Sequence, residues 1–233
     1  MRLRSANPVF HSVESYAGVT DRPVTYANVA IKTIVLIAVA SISALLSIMY
    51  LGNMSWTLII VAMVVALISV IAGTRSVSLS PFFALLYSAS EGLILGVISA
   101  MYAYFYNGIV PTAILTTGIV FVVMMLLYST GVIKVTQKFA SVLVVALISV
   151  IIMSVVMLLF SSFFQANFTF YILISAISAV LSALFLLLDF ENIKTCVDSG
   201  TDSKYGWVLS LGLMVTLVWI YVEVLRLLAI LAS

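Results

Sequence analysis

Hydrophobic positions fall into seven long runs separated by short polar breaks: residues 31–51, 56–73, 81–104, 111–133, 139–160, 168–191 and 206–231. A hydrocarbon layer of roughly 30 Å is crossed by about 20 helical residues, and each run is of that order. Lipid offers no hydrogen-bond partner, so every amide in such a run must be satisfied within its own segment, which a helix does. The alternating pattern of a membrane β-barrel is absent. The pattern therefore predicts an all-α membrane protein, a bundle of seven transmembrane helices.

The breaks are short. Gly52-Asn53-Met54-Ser55 divides the first two runs, residues 74–80 the next two, and Lys134-Val135-Thr136-Gln137-Lys138 the fourth from the fifth. Residues 192–205 form the most polar connection. Pro81 and Pro111 open their runs, where a missing N–H is no loss. Residues 1–28 read as a polar tail and residues 29–233 as the seven-helix domain. A cleavable signal peptide is not expected, since the first apolar run is followed by six others.

Lys and Arg placement predicts orientation. Arg2, Arg4, Arg22 and Lys32 mark the N-terminal side, while Arg75, Lys134, Lys138, Lys194 and Lys204 mark the second, fourth and sixth connections. The first, third and fifth connections carry neither residue. The N-terminus is expected in the cytoplasm. Tyr50, Trp56, Tyr102, Tyr104, Tyr106, Tyr171 and Trp207 flank the runs as interfacial anchors.

Composition sharpens this reading. Of 233 residues, 64% are hydrophobic and 8% charged, against about 25% charged in a soluble domain. A water-soluble sphere of this size could not hide so much apolar surface, so the lipid bilayer is the expected partner. The net charge of +2 is spread thinly, with no basic block for nucleic acid. Cys196 and His11 are the sole residues of their types, which excludes an internal disulfide and a cysteine zinc cluster.

An ionised side chain at mid-bilayer costs about 2.5–3.5 kcal/mol or more, so the intramembrane acids need a reason. Glu91 lies eleven residues into the third run, roughly 16 Å deep at the helical rise. Ser88, Gly92, Gly96 and Ala100 form a small-residue stripe beside it that would admit a neighbouring helix. Glu91 either serves an ion or proton path or is a protonated group bonded for packing alone. Asp189 lies late in the sixth run, and Glu191 at its end can pair with Lys194 one turn on. Glu223 and Arg226 stand three apart in the seventh run, either as a self-neutralising anchor or as part of a gate. Thr216 lies seven residues before Glu223 on nearly the same face, about 10 Å deeper.

No enzyme is expected. The chain has no intramembrane histidine, no HExxH, no GxGD, no Walker A loop and no GxGxxG. No cofactor is implied.

Two C-terminal stretches, Leu187-Leu188-Asp189-Phe190-Glu191-Asn192-Ile193 and Glu223-Val224-Leu225-Arg226-Leu227-Leu228-Ala229-Ile230-Leu231, resemble the Bax inhibitor-1 family when taken with the seven short-looped runs. The Glu-containing third run fits as well, and Arg4-Ser5-Ala6-Asn7-Pro8-Val9-Phe10 resembles the opening of a bacterial branch. The resemblance implies a central seventh helix, a bacterial cell membrane, and a pH-sensitive calcium leak. It further implies two aspartates, on the sixth and seventh helices, that share a proton because both cannot be ionised cheaply at close range. Asp189 matches the first. Thr216 holds the second's place and cannot ionise. Arg75 roughly matches an arginine that locks the closed state.

Glu91 and Thr216 each lie about eleven residues from the inner ends of their helices, so Glu91 is the expected substitute carboxyl, with Thr216 as its hydrogen-bond partner. Glu223 should sit roughly two turns higher and is the lesser candidate. Glu191 and Arg226 complete the candidate gating charges, and Asp189 with Glu91 would meet calcium transiently as the permeant ion. Two other readings stay open: a proton-coupled transporter of a small solute, and a non-transporting regulator that binds another membrane protein such as a protease.

Overall fold

The computed structural model describes residues 22–50, 56–159 and 168–232. Among the described residues seven helices are long and apolar enough to cross a membrane: α1 (Tyr26–Tyr50), α2 (Trp56–Arg75), α3 (Ser80–Phe105), α4 (Ile109–Ser129), α5 (Gln137–Leu159), α6 (Phe168–Asp198) and α7 (Gly206–Ala232). A single turn of 3₁₀ helix, Ser203–Tyr205, precedes α7. Among the described residues there is no strand, and Pro23 and Asp202 form one isolated antiparallel bridge. The expected all-α, seven-helix membrane fold is what the chain adopts. His11, Arg2, Arg4, the opening motif and the 52–55 connection lie outside the described residues.

Three helix boundaries differ from the apolar runs by more than two residues, each for a local reason. α1 starts at Tyr26, taking the last residues of the expected tail, because Thr25 caps it by accepting from Asn28 N at 3.1 Å. α6 does not stop near Glu191 but continues to Asp198. Its end is a Schellman turn: Gly200 takes φ 65°, Thr201 N donates to Cys196 O at 3.1 Å, and Gly200 N donates to Val197 O at 3.1 Å. α4 ends at Ser129, short of Ile133, because Gly131 turns the chain at φ 71°.

The large exposed side chains are mostly aliphatic, on α1, α2, α4 and α5 above all. That surface suits hydrocarbon rather than water. α7 is the most enclosed helix, with 67% of its most apolar window buried, whereas no other helix exceeds 39%.

The chain forms two compact units, Met1–Gly96 with Glu191–Met214, and Val97–Phe190 with Val215–Ser233. In the first, α1 and α3 approach closely. A Cβ on Gly92 would strike the carbonyl oxygen of Ala40, and one on Gly96 would lie 2.9 Å from Ser47 Cβ. The same approach lets Ser43 Oγ donate to Ala89 O at 2.6 Å and Ser47 Oγ to Leu93 O at 3.0 Å. Small residues are used this way where lipid supplies no hydrophobic drive between helices. Ser210 Oγ of α7 likewise reaches Val29 O of α1 at 3.0 Å. In the second unit, Phe190 of α6 packs edge-on against Phe121 of α4, with ring centroids 5.6 Å apart.

Replacing Gly92 by valine should cost about 1–3 kcal/mol through overpacking, read as a lower thermal midpoint in detergent. Gly118→Ala, where nothing lies within 4 Å of an added Cβ, should not lower the midpoint, since alanine is the better helix former. Equal melting of the two variants would show that the α1–α3 approach is not tight.

Candidate functional site

Helical spacing gathers polar groups on one face of α6. Ser175, Ser178 and Ser182 are all buried, at three- and four-residue intervals, and Asp189 follows two turns later on the same face. Hydropathy alone hides this stripe, since serine barely lowers the mean of an apolar run. The spacing was the signal that could have found it. From α7 the same unit contributes Thr216, Trp219 and Glu223, of which Thr216 and Glu223 are buried.

Asp189 hydrogen-bonds the Thr216 side chain. Its other oxygen, Oδ2, is buried with no hydrogen-bond partner among the described residues. An ionised carboxylate only accepts, and has room for about four donors. A buried oxygen left without one costs about 1–3 kcal/mol, more when charged. A proton, a water molecule or a cation would each complete it.

Glu223 is the opposite case. Its Oε1 accepts from Ser178 Oγ at 2.7 Å and from Trp219 Nε1 at 3.3 Å. Its Oε2 lies 3.2 Å from Arg226 Nη1, one turn along α7. The Glu223–Arg226 pair thus forms, and Ser178, a partner 45 positions away in sequence, joins it. Trp219 also packs against Phe185, with ring centroids 5.6 Å apart and the planes tilted by 59°. Nearby on α7, the Tyr221 hydroxyl and Ser99 Oγ of α3 share a hydrogen bond of 2.7 Å. Glu223 is thus hydrogen-bonded through Oε1, while Oε2 makes no hydrogen bond among the described residues and faces the Arg226 charge.

The remaining sequence candidates fall as follows. Glu91 is half-buried on α3 in the first unit, with Tyr87 as its electrostatic neighbour one turn earlier; Asp189 and Thr216 belong to the second. Ser88 is fully buried, and its hydroxyl has no partner among the described residues. Gly92 and Gly96 pack against α1, but Ala100 at the end of the stripe is exposed. Arg75 closes α2 and is exposed. Glu191 is half-buried inside α6, not at its end. Among the described residues no three His, Cys, Asp or Glu side chains come together as a metal site.

The profile of the Bax inhibitor 1 like family matches residues 7–233. The chain belongs to that family. No curated protein matches it. As a Bax inhibitor 1 like protein it is a multi-pass membrane protein, and the match spans all seven helices.

Ser178→Ala removes the shortest hydrogen bond to the buried Glu223 carboxylate and should destabilise this Bax inhibitor 1 like protein by about 1–3 kcal/mol. Ser149→Ala, on the exposed face of α5, should be within experimental error of wild type. Thermal unfolding in detergent measures both. Indistinguishable midpoints would mean that Ser178 does not support Glu223.

Proposed function

We propose that this protein is a cation leak of the bacterial cell membrane, with calcium as the permeant ion and protonation of Asp189 as the gate. The carrying observation is the Asp189 carboxyl, bonded on one side to Thr216 and buried without a partner on the other. A proton on Asp189 converts an acceptor into a donor and thereby alters its link to Thr216, which joins α6 to α7. Calcium prefers oxygen ligands, and a few of them suit passage better than storage. Glu91 serves as the second carboxyl that Thr216 cannot supply. Arg75 and Glu191 are the charges that hold the closed state, and the N-terminus faces the cytoplasm. No catalysis and no cofactor are involved.

Purified protein in calcium-loaded proteoliposomes, assayed between roughly pH 5 and 8, tests this. Asp189→Asn should flatten the pH dependence of calcium flux, as should Glu91→Gln if it is the second carboxyl. Glu223→Gln should retain the dependence. Unchanged pH dependence in Asp189→Asn rejects the gate, and unchanged dependence in Glu91→Gln alone rejects only the substitute. Solute flux that stops when a proton gradient collapses would point instead to a coupled transporter. Absence of any flux, with a membrane protein recovered by crosslinking, would point to a regulator.

A further inference from the structure

The first unit holds a cavity of about 260 Å³ lined chiefly by Lys32, Ser78, Pro81, Ser203, Lys204 and Trp207. Among the described residues no acidic side chain lines it. Its walls come from the second turn of α1, the first turn of α3, the first turn of α7 and the 3₁₀ turn before it. The lining thus joins Lys32 of α1 to the N-terminal turns of α3 and α7.

The lysine is held in place. Lys32 Nζ donates to Ser203 O at 2.7 Å and lies 5.3 Å from the centroid of the Trp207 ring. An ammonium has three donors, so that one bond leaves others for the cavity. Gly206 makes the space: a Cβ there would come within 2.8 Å of Lys32 Nζ. Asp202 is the acid whose charge reaches Lys32, and its carboxylate is engaged by Lys204 N at 2.8 Å. Two lysines against one engaged carboxylate leave a positive site. Drug-sized ligands occupy pockets of roughly 300–1,000 Å³, so this one suits a small, multiply accepting anion. Lys and Trp together also mark the membrane–water boundary.

We propose that this cavity binds a phosphate group, carried either by an acidic phospholipid headgroup or by a soluble phosphate. The proposal stands apart from the calcium leak and survives its failure. Native mass spectrometry of the full chain in detergent tests it, titrating phosphatidylglycerol, phosphatidylcholine and inorganic phosphate separately. Phosphatidylglycerol should bind more tightly than phosphatidylcholine. Lys32→Gln with Lys204→Gln should weaken that binding about thirtyfold, and Lys204→Gln alone about fivefold. Lys204 is exposed, so its single variant guards against misfolding. Lys134→Gln with Lys138→Gln removes the same charge elsewhere and should change binding little. Lysine-dependent binding of inorganic phosphate without lipid selectivity supports the site with a soluble source. Binding of neither probe, or equal loss in the two double variants, overturns it.

Discussion

A polar atom inside hydrocarbon has no solvent to fall back on, and every feature of this chain answers to that constraint. The backbone answers with seven helices that bond themselves. The side chains answer in pairs across helices. Ser43 and Ser47 give their hydroxyl hydrogens to carbonyls on α3, and Ser178 of α6 gives its own to Glu223 on α7. Such bonds require close approach, and Gly92 and Gly96 provide it where α1 meets α3.

Seen this way, the two carboxyls of the α6–α7 pairing divide the work. Glu223 is bonded on one oxygen and ion-paired on the other, in a group that carries its own counter-charge. It is fit to hold helices together. Asp189 keeps one oxygen unmet. A membrane interior tolerates that state poorly. The distinction rests on partners, not on depth.

Much of the fold was legible because apolarity reports directly where lipid lies. It does not report where a helix stops. The segment from Glu191 to Asp198 is polar yet helical, since a helix leaving the bilayer ends only at a breaker, here Gly200. Asp189 and the Glu223–Arg226 pair stood out as charges in an oily background. Ser178 did not, being neutral and 45 positions from its partner. Lys32 read as a mark of orientation, and nothing in its neighbours along the chain pointed to Ser203 or Trp207.

The short stretch ahead of α1 is stitched to the link between α6 and α7. Val24 N donates to Thr201 O at 2.7 Å, and Ser203 N donates to Arg22 O at 2.9 Å. Both bonds run between segments nearly 180 residues apart in the chain. The residues just ahead of α1 are thus tied directly to the link that leads into α7, the most enclosed helix, and a displacement of one of these segments is felt by the other without passing along α1.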